Sequence, residues 1–497
     1  MTFISITKEM LNTAFTEKGG KAYKTSGSYC LDYFSLIGGM RFNYDNALKN
    51  FMKAYKENPI LAIKILFFSR DVRGGLGERN IFRFTFNALC NMAPEVAKQV
   101  VSYIPTYGRY DDLFSAYYTP VRKEVMKLVK EQLDKDIEAK KQNKEISLLA
   151  KWMPSINTSS YETRELAQKV ASSLGMTKET YRKTLSSLRK GLIIENNLRE
   201  KDYTFNYENV PGMAMFKYQE AFLRNDEQRY NKYLNDVKEG KKKMNSSTIY
   251  PYEVIRKLEN NYNEYNHTFN NISKEEFESL DAIWNSFNRE VISSKTIVVR
   301  DGSGSMLDDM PVSANSVATS LAMLFAERLQ GEFKNKFITF SSRPELVEIT
   351  GDNIKEKYAC VAEYNDYSTT NVAGLYDLIY KVYSNPKFNK EDALDRLVII
   401  SDMEFDCMEY YEEKTSFEVY KEKFEAIGYN LPEIVFWNVR ARSTHLPVTI
   451  NEDNVKLVSG CSTSLIDMIV KNEANNPYDM MLKCLEKYSC FDSLIIE

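Results

Sequence analysis

Apolar residues recur at helical spacing through most of the first 290 residues. The runs YDNALKNFMKAYKENP, LAIKILFFSRD, GERNIFRFTFNALCNM and PEVAKQVVSYIP place apolar side chains at positions i, i+3, i+4 and i+7. Short loops with Pro or Gly separate these runs, and short links between medium-length helices produce antiparallel neighbours. The pattern predicts an all-α, HEAT-like helical repeat domain over residues 1–290, although no sequence repeat of fixed period accompanies it.

From residue 291 onward the pattern changes to strands that alternate with helices. The predicted strands are TIVVR, KFITFS, ELVEI, RLVIIS, EIVFWNV and KLVSG, and amphipathic helical runs lie between most of them. This alternation predicts an α/β doubly wound, Rossmann-like domain over residues 291–497, with a mostly parallel sheet and helices on both faces. We expect a β-hairpin between KFITFSS and PELVEI.

Oxygen-bearing side chains follow two of the predicted strands. Asp301, Ser303 and Ser305 come directly after TIVVR, Thr370 precedes a helical run, and Asp402 ends RLVIIS. A parallel sheet delivers such positions to one edge. Hard oxygen ligands suit Mg²⁺, with Mn²⁺ and Ca²⁺ left open, so we expect a divalent cation here. For DGSGSM alone, the alternative is a polar turn whose serine caps a helix.

The order DGSGS, then Thr370, then Asp402 resembles the metal-ion-dependent adhesion site (MIDAS) of von Willebrand factor type A domains. The resemblance implies that both serines and the threonine coordinate the metal, while the two aspartates act mostly through water. It also implies a protein partner whose Asp or Glu completes the coordination of the metal. Arg300 departs from the expectation, because an apolar residue is usual at the end of a buried strand.

The net charge of −3 conceals opposite charges in the two predicted domains. Residues 1–290 hold 45 Lys and Arg against 36 Asp and Glu, a net charge of +9. The remaining residues hold 21 against 33, a net charge of −12. A basic helical domain can neutralise phosphates, and its many Tyr and Phe can stack on unpaired bases. An RNA partner is therefore expected for the helical domain.

The candidate residues for RNA contact are basic and fall in three stretches of the helical domain. They are Arg73, Arg79, Arg182, Lys183, Arg189, Lys190, Lys241, Lys242 and Lys243. In the alternative interpretation, Arg73 and Arg79 pair with Asp71 and Glu78 and only hold their loop in place. The lysine triplet can likewise be a solvated helix end that suits the helix dipole.

Several classes of protein are disfavoured by composition. The seven cysteines are scattered without a CxxC spacing, and the first residues lack the features of a signal peptide. No apolar run approaches the ~20 residues needed to cross a bilayer. With only two histidines, a His-based triad or multi-His zinc site is nearly excluded. We expect a cytoplasmic monomer that does not enter a membrane.

Long motifs in the helical half carry a second resemblance. AFTEKGGKAYKTSGSYCLDYF, ILFFSRDVRGGLGER, IPTYGRYDDLF, SLLAKWMPSINTSS and VPGMAMFKYQEAFLRND resemble an uncharacterised, TROVE-like family that joins such helices to a type A domain. Its Ro-like architecture implies binding of small non-coding or misfolded RNA and of single-stranded RNA ends.

Three functions follow from these patterns. The expected function is that of a non-catalytic ribonucleoprotein component, with a metal-dependent protein contact through the type A domain. The alternative is a protein–protein interaction scaffold without nucleic acid. A hydrolase that uses Asp301 and Asp402 is disfavoured, because no general base accompanies the two carboxylates.

Overall fold

The computed structural model describes residue 7 and residues 10–246, 248–287, 290–292, 294–307, 312–365, 369–406, 416–450, 452–471 and 473–496. Up to residue 285 this chain is mainly helical. Two antiparallel hairpins interrupt it, β1 (Thr13–Phe15) with β2 (Lys21–Tyr23) and β3 (Tyr262–Asn263) with β4 (Thr268–Phe269). Neither hairpin was expected from the sequence.

The predicted helical region is confirmed, whereas its HEAT-like character stays a prediction. Its helices are α1 (Tyr29–Leu36), α2 (Tyr44–Glu57), α3 (Pro59–Arg70), α4 (Arg79–Met92), α5 (Pro94–Val100), α6 (Ile104–Tyr107), α7 (Arg122–Lys141), α8 (Leu149–Trp152), α9 (Tyr161–Ser173), α10 (Lys178–Arg189), α11 (Ile194–Glu200), α12 (Gly212–Lys238), α13 (Pro251–Glu259) and α14 (Lys274–Asn285). Across the described ranges, no helix combines the length and the apolar character that a membrane crossing requires.

Helix α10 shows how the sequence sets these elements. Thr177 caps its start, because its hydroxyl oxygen accepts a hydrogen bond of 3.1 Å from the backbone N–H of Thr180. Such a cap contributes about 1 kcal/mol. Tyr181, Leu185 and Leu188 then bury one stripe of the helix. The opposite stripe is left to polar and basic residues.

The C-terminal part of the described chain contains a six-stranded sheet, as predicted. Its strands are β5 (Thr296–Asp301), β6 (Lys336–Phe340), β7 (Leu346–Glu348), β8 (Arg396–Ser401), β9 (Glu433–Asn438) and β10 (Val455–Ser459). The accompanying helices are α15 (Ala314–Arg328), α16 (Ile354–Ala362), α17 (Val372–Tyr383), α18 (Ser416–Ala426), α19 (Ser464–Lys471) and α20 (Pro477–Leu485). Together they form a mixed α/β domain.

The strands lie in the order β10-β9-β8-β5-β6-β7 and are parallel except for β7. Strand β7 pairs antiparallel with β6, with Leu346 opposite Ile338, which confirms the predicted hairpin. From β5 the chain builds outward through β6 and β7, then returns to place β8 on the other side of β5. The crevice at the carboxyl ends of β5 and β8 is therefore the topological switch point, where open α/β sheets bind ligands.

The helical region and the sheet domain share extensive contacts. Helix α1 packs against β10, and α13 packs against α15. Gly38 lies so close to β10 that a Cβ there would sit 2.4 Å from the carbonyl oxygen of Ser459. At the other end of the domain, Phe491 packs on Phe67 of α3 with ring centroids 4.5 Å apart. The two parts of the chain are thus joined at several places.

Candidate metal centre and basic surface

The switch point brings the oxygen-bearing residues of β5 and β8 together. Asp301 Oδ2 accepts a hydrogen bond of 2.6 Å from the hydroxyl of Ser401, and its Oδ1 accepts one of 2.9 Å from the backbone N–H of Ser303. The hydroxyl oxygens of Ser303 and Ser305 lie 3.0 Å apart. Asp402 interacts electrostatically with Asp301, and the nearby Ser305 hydroxyl lowers its pKa. Parallel strand ends therefore gather four of the five predicted ligands.

The two carboxyl groups lie in a poorly solvated setting. Burial raises the pKa of Asp402 to about 6, and the nearby Asp301 carboxylate also raises it. Burial raises the pKa of Asp301 as well. Asp402 Oδ2 accepts no hydrogen bond from the described residues, and a guanidinium nitrogen of Arg442 lies 3.8 Å from it. The pair has negative charge that a cation would stabilise.

Thr370 joins this cluster through a lysine from the far end of the sequence. Lys18 Nζ donates a 2.8 Å hydrogen bond to the Thr370 hydroxyl and lies 3.9 Å from Asp406 Oδ1. The Lys18 charge also acts on Asp301, where it lowers the carboxyl pKa against the larger effect of burial. Lys18 thus connects Thr370 with the Asp301 carboxylate, and sequence reasoning missed this lysine.

The donor set fits a hard divalent cation. Two carboxylates and three hydroxyls are the oxygen ligands that Mg²⁺ or Mn²⁺ prefers, and one of the carboxylate oxygens, Asp402 Oδ2, is buried and accepts no hydrogen bond from the described residues. Within the described residues no group of three or more His, Cys, Asp or Glu side chains could hold a metal ion. Any metal here would therefore depend on hydroxyl ligands from Ser303, Ser305 and Thr370.

Arg300 is buried despite its charge, because polar groups surround its guanidinium. Its Nε donates to the Thr319 hydroxyl at 3.0 Å, and its Nη2 donates to Asn315 Oδ1 at 2.9 Å. Asn315 in turn donates to Glu259 Oε1 at 2.7 Å. The expected apolar residue is replaced by a network that links β5, α15 and α13. A buried arginine needs such partners to offset its desolvation.

Most basic candidates for RNA contact already have partners within the chain. Lys183 Nζ lies 2.7 Å from Glu179, and Lys241 Nζ lies 2.5 Å from Glu239. Lys242 Nζ lies 3.4 Å from Asp236, while Lys243 is exposed beside it. Exposed pairs of this kind are weak and exchange with solvent ions, so they leave these lysines able to meet a phosphate.

The Gly74–Gly77 loop is held by other contacts than the expected ones. Asp71 accepts hydrogen bonds from the backbone N–H of Arg73 at 2.9 Å and from the Tyr488 hydroxyl at 2.9 Å. Glu78 pairs with Arg41 at 2.6 Å. The alternative pairs Arg73–Asp71 and Arg79–Glu78 are therefore wrong, because these buried carboxylates are taken by other groups. The Arg73 guanidinium donates to the carbonyl oxygen of Thr106.

Arg79 stands apart from that loop's acids. Burial lowers its pKa, and so do the neighbouring charges of Arg109 and Arg83. Asp111 and Asp112 already offset part of this repulsion among three guanidinium groups, and an anion that reached exposed Arg79 would offset more of it. Arg79 therefore stays a candidate for phosphate contact.

A basic groove collects the remaining candidates. It has a volume of about 610 Å³, and its lining includes the basic residues Arg182, Arg189, Lys190 and Arg199 and the acidic residues Glu200 and Asp202. Arg189 is fixed, since its guanidinium donates to two carbonyl oxygens and one hydroxyl, each at 2.7 Å. Arg182, Lys190 and Arg199 are exposed. Sequence reasoning missed Arg199 because it stands alone on a different helix.

Two family models and one long relative match the chain. Residues 110–296 match a domain of unknown function (DUF2828), and residues 295–487 match another (DUF7788). Uncharacterized protein L728 of Acanthamoeba polyphaga mimivirus is 30% identical over 529 residues, which covers 96% of this chain and 88% of that protein.

Among solved structures, the crystal structure of the Deinococcus radiodurans RO (RSR) protein aligns over 91% of this chain and 92% of that chain. The TM-score is 0.35 and the sequence identity is 10%. A TM-score this low does not establish a shared fold.

Proposed function

The chain belongs to the same family as mimivirus protein L728, and we propose that it is a non-catalytic, Ro-like RNA-binding protein with a divalent-cation site. In this proposal the helical region holds a small structured RNA or a single-stranded RNA end. The sheet domain holds Mg²⁺ and contacts a protein carboxylate. The TROVE-like, type A and cytoplasmic assignments belong to the same proposal.

The observation that carries RNA binding is the basic groove. It gathers three exposed cationic side chains, Arg182, Lys190 and Arg199, around a cavity of about 610 Å³. Asn157 and Asn196 line the same groove and offer hydrogen-bond groups to sugars or bases. The net charge of +9 on residues 1–290 draws a polyanion toward this surface.

The cation site would be formed by Ser303, Ser305 and Thr370 as ligands, with Asp301 and Asp402 nearby. When bound, a divalent cation supplies an open coordination position that an Asp or Glu of a partner can fill. The residues of the chain hold that position at the sheet edge and exclude water from the two carboxylates. Their burial supports this role.

The raised pKa of Asp402 is a property of a general base, which sequence reasoning had expected to be missing. Even so, we propose no catalysis at this place. Asp402 is buried, and the loop from Thr16 to Gly20 packs on the residues that follow it. We assign this buried carboxylate to stabilising the bound cation and not to proton transfer.

RNA binding is tested with the full chain by fluorescence anisotropy, using a labelled hairpin RNA and a labelled single strand. We expect affinity to fall steeply between 50 and 300 mM salt, since phosphate contacts release counterions. The triple variant Arg182→Ala, Lys190→Ala, Arg199→Ala removes the exposed charges and leaves Arg189 in place. It should reduce the slope of log affinity against log salt by about 2.

Lys183→Ala is the matched control, because Lys183 lies on the same helix and pairs with Glu179 away from the groove. It should leave the slope nearly unchanged, whereas the loss of one phosphate contact would change it by about 0.7–0.9. Salt-independent binding, or an equal effect of both variants, would contradict a role for the groove. Absence of any RNA binding would favour the protein-interaction scaffold.

Cation binding is tested separately by titrating the full chain with Mn²⁺ and following electron paramagnetic resonance of the free ion. We expect one bound ion per chain. Incubation with labelled RNA in the presence of Mg²⁺ should leave the RNA intact, and turnover that disappears in Asp402→Asn would instead indicate a hydrolase.

A further inference from the structure

The tip of the β1–β2 hairpin, residues 16–20, packs against the segment that follows β8. The Thr16 hydroxyl donates to the carbonyl oxygen of Phe405 at 2.6 Å, and the backbone N–H of Glu17 donates to Glu404 Oε2 at 2.8 Å. Gly20 lies so close that a Cβ there would be 2.6 Å from the same Phe405 oxygen. These contacts fix the tip, residues 16–20, over the edge of the sheet.

The tip delivers Lys18 to the candidate cation site. Its ammonium donates to Thr370 Oγ1 at 2.8 Å and lies near the carboxylates of Asp301 and Asp406. The hydroxyl and carboxylate oxygens that fit a divalent cation therefore lie beside the singly charged ammonium group of Lys18. The Lys18 side chain is only about one quarter exposed, with a relative accessibility of 26%.

A second contact ties the tip to the charge of the site. Arg442 lies 2.8 Å from Glu17 Oε2 and 3.8 Å from Asp402 Oδ2. The guanidinium thereby connects the tip to the one site carboxylate whose Oδ2 accepts no hydrogen bond from described residues. Two cationic side chains, one from the tip and one held by it, face the acidic cluster.

We propose that Lys18 and a divalent cation bind this site in exchange for each other, so that the hairpin caps the site when the cation is absent. This inference rests on the proposed cation site and adds its regulation. A metal–oxygen distance of about 2.1 Å and the 2.8 Å hydrogen bond would place a metal on Thr370 within about 5 Å of the ammonium. At that separation the two positive charges repel strongly, because the site is shielded from water.

Whether Lys18 or a divalent cation occupies the site determines which charges the carboxyl end of the sheet presents to other molecules. With Lys18 in place, the acidic cluster is neutralised and covered by the tip. With a divalent cation in place, the ammonium is expelled and the tip loses one of its anchors. The external carboxylate partner can then bind only in the loaded state.

The first experiment compares Mn²⁺ affinity of the full chain with that of Lys18→Met, which keeps the length of the side chain and removes its charge. We expect the variant to bind Mn²⁺ at least about tenfold more tightly. Lys18→Arg keeps a positive charge at the tip and should bind no more tightly than the natural chain. Lys24→Met removes an exposed charge just after the same hairpin, where the ammonium donates to the carbonyl oxygen of Leu11, and should change affinity less than about twofold.

The second experiment uses the natural chain and needs no variant. Lysine acetylation by a soluble activated ester, read by mass spectrometry, measures how accessible the Lys18 ammonium is. Addition of Mg²⁺ should speed the acetylation of Lys18 several-fold and leave that of exposed Lys24 unchanged. Circular dichroism of each variant confirms that it folds.

The outcomes separate this inference from the proposed site. Tighter Mn²⁺ binding by Lys18→Met together with faster acetylation of Lys18 supports the exchange. Equal Mn²⁺ affinities and an unchanged acetylation rate would overturn the exchange while the cation site stands. If neither the natural chain nor Lys18→Met binds Mn²⁺, the cation site fails and the exchange fails with it. If Lys18→Met does not fold, the acetylation rate alone decides.

Discussion

The candidate cation site brings together Lys18 and Thr370, which are 352 residues apart in the sequence, whereas the basic groove is lined wholly by residues 155–202. The first forms only when the parallel sheet and the N-terminal hairpin are both in place. The second needs only helices that are neighbours in the chain. The comparison indicates that packing far from the cation site can disturb it, while the groove depends on local structure.

The charged side chains of the two regions also differ in their exposure to solvent. Asp301 and Asp402 are 0% and 2% exposed, so each charge is felt strongly by its neighbours. Arg182, Lys190 and Arg199 are exposed, and solvent and salt screen them. Single substitutions should therefore have large effects at the sheet edge and small, additive effects along the groove.

The largest effect is expected from Asp402→Asn, which keeps the shape of the side chain and removes its charge. Mn²⁺ affinity should fall about 100-fold, or about 2.7 kcal/mol, since the variant lacks half of the buried negative charge. Titration of the full chain measures this loss. Asp352→Asn, an exposed acid outside the site, is the control and should have no measurable effect. A similar loss in both variants would mean that Mn²⁺ binds to surface charge.

The next-largest expected effect is a loss of stability at the hairpin tip, which compares long-range packing there with local backbone geometry in the groove. Gly20→Ala should destabilise the fold by about 2–3 kcal/mol, because the new Cβ meets backbone oxygens of Phe405 and Asp406 that cannot move cheaply. Gly191→Ala in the groove meets no atom within 4 Å and costs only the strain of its φ of +83°, about 1 kcal/mol. Urea denaturation of both variants measures the difference. Equal losses would argue against a tightly seated hairpin tip.

A smaller effect divides the groove itself. Arg189→Ala should destabilise the chain by about 2 kcal/mol, because it leaves the carbonyl oxygens of Ala150 and Met153 without their donor. Lys183→Ala should change stability by less than about 0.5 kcal/mol, since its pair with Glu179 is exposed. Denaturation midpoints compare the two. A neutral Arg189→Ala would show that this arginine is available to RNA after all.

The residue types within short segments made much of the sheet domain predictable from the sequence. The β-branched runs at Thr296–Asp301 and Arg396–Ser401 are strands, and the hairpin between β6 and β7 is present. Because parallel strands end at one edge, the residues after them had to meet, and Asp301 and Asp402 lie together. The roles of these residues as metal ligands stay a prediction, as do the RNA contacts and the domain boundary at 290/291.

The contacts that cap the site could not be predicted from the sequence. Strands β1 and β2 have three residues each, too short for a periodic pattern to mark them. Lys18 looks like any other polar turn residue until the fold brings it to Thr370. An apolar residue was expected in place of Arg300 in the buried strand, and the polar partners of its guanidinium, on α15 and at Asn365, explain the arginine. Charge counting likewise found a basic region without locating the groove.

The packing of Phe491 and Tyr488 against α3 and Asp71 has a consequence for how the polypeptide matures. Asp71 and Tyr488 are 417 residues apart, so the apolar side of α3 emerges from the ribosome long before the residues that cover it. During synthesis that side is exposed to other chains and to chaperones. A chain truncated before residue 477 lacks the residues that cover α3. It should therefore give a lower yield of soluble protein, because the N-terminal helices, which are synthesised first, lose these packing partners.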